Sequence, residues 1–79
     1  MKTLFDILEP IEESLKIAYR SGGRIPAELL RDISIYRDFS ERDKSKMQIY
    51  SDLANEYNVS EVTIRNTIRT MNIIIDKNH

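Results

Sequence analysis

Apolar positions recur along this chain with helical spacing, in runs separated by short polar or glycine-proline breaks. The first run covers residues 3–20. Leu4, Leu8, Ile11, Leu15 and Ala18 alternate four- and three-residue steps, and Phe5, Ile7 and Tyr19 widen the stripe. Pro10 lies inside it, and a proline in a helix interior costs ~3 kcal/mol, so a kink or a break at Glu9 is expected. With a break, Pro10 opens a fresh helix in which Glu12 and Glu13 suit the positive end of the dipole while remaining on a solvated face. The stripe covers the domain's own core, forms a dimer seam, or does both. Its length, about two and a half heptads, is less than a stable coiled coil needs.

Ser21-Gly22-Gly23 ends this run, with a glycine available for a left-handed cap. Arg24-Ile25-Pro26 follows as an extended piece, because a residue before proline avoids the α region. Phosphate-binding loops carry more glycines and a following Lys-Ser/Thr, so Gly22 and Gly23 read as a turn. Pro26 then stands at the first position of a helix reaching to about residue 38, with Leu29, Leu30, Ile33, Ile35 and Tyr36 on its apolar side and Phe39 at its end. Residues 40–46 contain no apolar side chain. They read as a loop or a solvated helix start, with Ser40 and Asp43 at capping-box-like spacing.

Residues 50–71 read as two helices joined by a tight turn. Met47, Tyr50 and Leu53 lead into it, and Leu53, Ala54 and Tyr57 share a face. Asn58 breaks the pattern where a turn needs positive φ, which asparagine tolerates better than any residue but glycine. Val59 offers an apolar plug for the corner, and Ser60 stands at the N-cap of the next helix. That helix buries Ile64, Ile68 and Met71, and its other face carries Ser60, Glu61, Val62, Arg65, Asn66 and Arg69, with Thr63 beside them. This is the layout of a helix-turn-helix, whose second helix enters the major groove while the first crosses the DNA backbone. Arg65 and Arg69 offer forked donors for guanine edges or phosphates, and Asn66 can pair bidentately with adenine. Outside the motif, Lys44 and Lys46 are the candidate phosphate contacts.

The expected architecture is therefore an all-α small domain with a C-terminal helix-turn-helix. Residues 1–39 form a helical support or dimerisation segment, and residues 40–79 the DNA-binding segment. A short strand is expected near Arg24-Ile25 or in the β-branched triplet Ile73, Ile74 and Ile75, with a frayed tail over 76–79.

Charge qualifies the picture. Twelve Lys and Arg face thirteen Asp and Glu, and from residue 40 onward the balance is six against six. Phosphate neutralisation supplies most nonspecific DNA affinity, so binding must come from local placement of a few cations, doubled by dimer symmetry. A 79-residue chain buries limited apolar area, which makes dimerisation a natural source of stability. No cysteine is present, which leaves no disulfide or thiolate metal site. No run approaches a membrane span, and MKTLFDILEP lacks the features of a signal peptide, so a cytoplasmic protein is the expectation. His79 is the single histidine, and no serine or threonine is paired with a base. No cofactor, metal or catalysis is expected.

Beyond the motif, the order of features resembles the Mor transcription-activator family of phage-type regulators. The resemblance rests on LKIAYRSGG at 15–23, RIP at 24–26, RDISIYRDF at 31–39 and LANEYNVSEVTI at 53–64. Only Arg24-Ile25 stands where family members carry a longer apolar strand. The resemblance implies a homodimer whose N-terminal halves pair, two recognition helices on a dyad-related site, and activation through contact with RNA polymerase. Two other readings fit the residues: a helical protein-binding module that never touches DNA, and a recombination accessory factor or a DNA-binding segment like the last sigma-factor region.

Overall fold

The computed structural model describes residues 2–75; the tail expected over 76–79, with His79, lies outside the described residues. The chain is mainly helical. Lys2–Thr3 (β1) leads into Leu4–Leu8 (α1), a 3-10 turn at Glu9–Ile11, and Glu12–Arg20 (α2). Ala27–Glu41 (α3), Lys46–Tyr57 (α4), Glu61–Met71 (α5) and Ile74–Ile75 (β2) follow. Of the two places where a strand was allowed for, the β-branched triplet supplies it. β2 pairs antiparallel with β1, Thr3 opposite Ile74 and Lys2 opposite Ile75. Arg24 and Ile25 have no regular secondary structure and no ladder partner.

At the start of α1, Thr3 and Asp6 form a reciprocal capping box: each side chain accepts the other's backbone N–H, at 3.2 and 3.0 Å. The Thr3 amide and hydroxyl hold the Asp6 carboxyl below its ordinary range. α1 stops at Leu8 because Pro10 cannot continue it, and α2 reopens with Glu12 and Glu13 in its first turn. The break changes the phase of the apolar stripe. Leu4, Leu8 and Leu15 pack around buried Phe5, Ile33 and Met71, whereas Ile7, Ile11, Ile17 and Tyr19 face outward.

Glu12 also turns inward, contrary to the expectation that it lies on a solvated face: it is only 7% exposed. The reason is Arg37 on α3, whose guanidinium donates to both Glu12 carboxylate oxygens and, at 3.3 Å, to Glu9. The hydrogen bond to Glu12 leads in raising the Arg37 pKa further. At the other end of α2, Gly22 takes φ +86°, and the Gly23 and Gly22 amides donate back to Ala18 and Tyr19 carbonyls at 2.7 and 3.2 Å. This closes a Schellman motif on the expected glycine pair.

α3 is the central element. Ile33 and Ile35, two residues apart and both fully buried, point into different clusters. Ile33 joins Phe5 and Met71, while Ile35 joins Ile49, Leu53, Ile64 and Ile68. Tyr36 touches both. A row of rings connects α1 to α4: Phe5–Tyr36 at 4.5 Å, Tyr36–Phe39 at 6.1 Å and Phe39–Tyr50 at 6.0 Å between centroids.

α3 runs to Glu41, one turn beyond the expected end, so Ser40 is not a cap. Its hydroxyl donates to the Arg37 carbonyl within the helix, and Ser45 caps α4 instead, accepting from the Gln48 amide at 3.3 Å. The inward face of α4 also differs from the expected one. Ile49 and Leu53, four apart, are buried, and Met47 is 80% exposed rather than part of the apolar face.

Tyr57, at the end of α4, donates its hydroxyl to Asp38 at 2.7 Å. Burial, then that hydrogen bond, pushes its phenol up to about 12. Tyrosine in an unfolded chain titrates at roughly 10, so the stability linked to Tyr57 is complete below that pH and declines as pH rises toward 12. Tyr57 should therefore give a late phase in an ultraviolet absorbance titration. Tyr57→Phe should remove that late phase and cost ~1 kcal/mol in chemical denaturation.

Candidate nucleic-acid interface

α4 and α5 are joined by Asn58, Val59 and Ser60 alone. Asn58 adopts φ 56°, ψ 49°, the left-handed conformation expected of it, and the Val59 amide donates to Ala54 at 3.0 Å to close the last turn of α4. Val59 and Ala54 pack against the inner cluster at the corner. Ser60 caps α5, its hydroxyl accepting the Thr63 amide at 3.1 Å and meeting the Thr63 hydroxyl at 3.0 Å. Thr63 is thereby occupied at the helix start. Each of these hydrogen bonds is local, made between residues at most five positions apart.

α5 buries Ile64, Ile68 and Met71, and additionally Thr67, whose hydroxyl donates to Asp32 at 3.3 Å. Arg31 holds that Asp32 oxygen at 3.2 Å. Ser60, Glu61, Val62, Arg65, Asn66 and Arg69 are all exposed. Val62, Asn66 and Arg69, at four- and three-residue steps, form the outermost stripe, opposite Ile64, Ile68 and Met71. Arg65 lies to one side of it.

Ion pairing divides the cations. Arg31 pairs with Asp32, Arg37 with Glu9 and Glu12, Arg42 with Glu56, and Lys44 with Asp52. The Arg42–Glu56 contact is bidentate, at 2.6 and 2.7 Å. It raises the Arg42 pKa and holds the Glu56 carboxyl below its ordinary range. Lys44, one of the two lysines singled out for phosphate contact, thus has a carboxylate 3.6 Å away. The remaining cations from α3 to α5 are Lys46, Arg65 and Arg69, which form no ion pair among the described residues.

Those three line one cleft of about 320 Å³ between the start of α4 and the flank of α5. Phe39, Tyr50, Ile68 and Asn72 complete its wall. Asn72 is oriented by the Tyr36 hydroxyl, which donates to its side-chain oxygen at 2.5 Å. Sequence reasoning did not single out Tyr50 or Asn72. Their spacing carried a signal, Tyr50 lying four residues after Lys46 and Asn72 three after Arg69. Meeting across two helices did not show in either spacing.

Among the described residues, no group of three or more His, Cys, Asp and Glu side chains could hold a metal ion, and no helix is long and apolar enough to cross a membrane. Comparison of the chain with protein-family profiles, with curated proteins and with solved structures finds no match.

Proposed function

We propose that this protein is a cytoplasmic, phage-type, sequence-specific DNA-binding transcription regulator, acting as a homodimer with α5 in the major groove. The observation that carries the reading is the convergence of Lys46, Arg65 and Arg69, none with a carboxylate partner among the described residues, beside an exposed stripe of Val62 and Asn66. A near-neutral chain ordinarily binds duplex weakly. Here Asp32 of α3 and Asp52 and Glu56 of α4 are each paired with another cation, which leaves Lys46, Arg65 and Arg69 to make the α5 side locally positive. The resemblance to the Mor family agrees with this reading and extends it to activation through RNA polymerase.

Homodimerisation is supported by the exposed apolar residues of the N-terminal helices: Ile7, Ile11, Ile17 and Tyr19. With dimensions of 34 × 32 × 19 Å, two copies suit half-sites one helical turn apart, ~34 Å. The same exposed residues favour a second reading, a helical module that binds another protein through α1 and α2 without touching DNA.

Selection of bound duplexes from a random library tests the first reading directly. The expected result is a dyad-symmetric site whose half-sites are about one helical turn apart. Arg65→Ala with Arg69→Ala should weaken binding by roughly thirtyfold or more, two forked contacts being lost, with an unchanged circular dichroism spectrum. Failure to bind any duplex at ~50 mM salt, where phosphate contacts are strongest, would instead favour the protein-binding module.

A further inference from the structure

The cleft beside α5 lets the roles of its cations be separated. Arg65 is displaced from the outermost stripe toward α4, and it shares the cleft with Lys46, the first residue of that helix. A group touching both residues lies between the two helices, at the edge of a groove rather than on its floor. In helix-turn-helix docking, that edge is where the first helix crosses the sugar-phosphate backbone.

Three like charges in one cleft repel each other unless an anion sits among them. Two guanidinium forks and an ammonium supply more donors than a carboxylate has lone pairs, whereas a phosphate presents several oxygens to them. The first turn of α4 contains no carboxylate to offset the positive end of its dipole, which adds to the same field. On the same outermost stripe as Arg69, but outside the cleft lining, Val62 and Asn66 are exposed and carry no charge, which suits contact with base edges: a methyl group for Val62, adenine for Asn66.

We propose that the cleft lined by Lys46, Arg65 and Arg69 is a phosphate site. On a duplex it holds a backbone phosphate that sets the register of α5, leaving Val62 and Asn66 to read sequence. The duplex half of this assignment rests on the DNA-binding reading above; the phosphate half does not.

Two experiments separate them. In the first, the full chain is titrated with sodium pyrophosphate and, at matched ionic strength, with sodium chloride, and followed by nitrogen-15 NMR. Saturable shifts of the Arg65 and Arg69 side-chain N–H signals with pyrophosphate alone, lost in Lys46→Ala, are expected. Shifts equal to those in chloride would overturn the phosphate site.

In the second, duplexes are selected by the wild type and by single variants. Lys46→Ala, Arg65→Ala and Arg69→Ala should each weaken binding by about tenfold for every sequence, lower the log–log salt slope by about one, and leave the consensus unchanged. Val62→Ala and Asn66→Ala should instead relax the consensus at particular positions and leave the salt slope as it was. A consensus altered by Arg65→Ala or Arg69→Ala would overturn the division of roles while DNA binding stands. Saturable pyrophosphate binding by a chain that selects no duplex would reject the DNA reading and identify the ligand as a free phosphorylated molecule.

Discussion

Leu53→Ala is expected to lower the melting temperature by about 12–24 °C, which follows from a loss of ~3 kcal/mol at 4–8 °C per kcal/mol for a domain of this size. Leu53 has no exposed surface and sits where three helices meet, against Ile35 of α3, Ile49 of its own helix, and Ile64 and Ile68 of α5. Truncation removes the transfer free energy of the lost carbons and leaves a cavity that rigid helical neighbours fill poorly. A 79-residue domain has ~4–12 kcal/mol of stability to begin with, so this one change removes a quarter to most of it. Met47→Ala is the contrasting case. It is also an apolar residue on α4, but at 80% exposure its truncation should stay within ~0.5 kcal/mol. Thermal denaturation followed by circular dichroism distinguishes the two, and equal shifts for both would contradict the inward phase of α4. Because α5 is seated through this cluster, Leu53→Ala should also weaken any activity that depends on the exposed stripe of Val62, Asn66 and Arg69.

That contrast shows where the amino-acid pattern was informative and where it was not. Features set by near neighbours in the chain were readable from it. Asn58 takes positive φ, Ser60 caps α5, Gly22 closes α2, and Pro10 ends α1, each through contacts within five residues. The buried residues Ile64, Ile68 and Met71 followed from the period of a single amphipathic helix. Features that depend on which segment lies opposite were not readable. Met47 and Ile49 are equally apolar in sequence, and only the packing of α4 against α3 and α5 decides which of them faces Ile35. Glu12 is an ordinary first-turn acid until Arg37, twenty-five residues later, is folded against it.

The candidate site follows the same rule. Its α5 residues were legible as one exposed helix face, because a helix fixes their spacing. Their grouping with Lys46 and Tyr50 depends on how α4 crosses α5. Overall charge was the weakest guide, because a sum of twelve and thirteen does not distinguish cations already matched to carboxylates from those, such as Lys46, Arg65 and Arg69, that form no ion pair among the described residues. Lys44 and Lys46 were indistinguishable in a polar run. In the fold, one stands 3.6 Å from Asp52 and the other opens onto the cleft.

Arg37→Ala should cost ~2–3 kcal/mol, the second largest effect expected, and should act on the seating of the N-terminal helices rather than on α5. Glu12 is 7% exposed, and Arg37 donates to both of its carboxylate oxygens while reaching Glu9 as well. Removing one partner of a fully buried pair costs about 3–5 kcal/mol, mostly because the survivor is left charged and poorly solvated. Here the figure is reduced for two reasons: the Arg37 side chain is 30% exposed, and Lys16 stands 3.7 Å from Glu12 as a partial substitute. The double change Glu12→Leu with Arg37→Leu should return stability to within ~1 kcal/mol of the parent, since apolar replacement of a buried pair is close to neutral. A double-mutant cycle in urea therefore separates an ion pair that fastens α2 to α3 from two independent surface charges. A coupling energy above ~1 kcal/mol is expected for the first, and a cost below ~0.5 kcal/mol for Arg37→Ala would mark the second. If dimerisation proceeds through the apolar residues of α1 and α2, Arg37→Ala should weaken it too, because the Glu12–Arg37 contact holds α2 against α3.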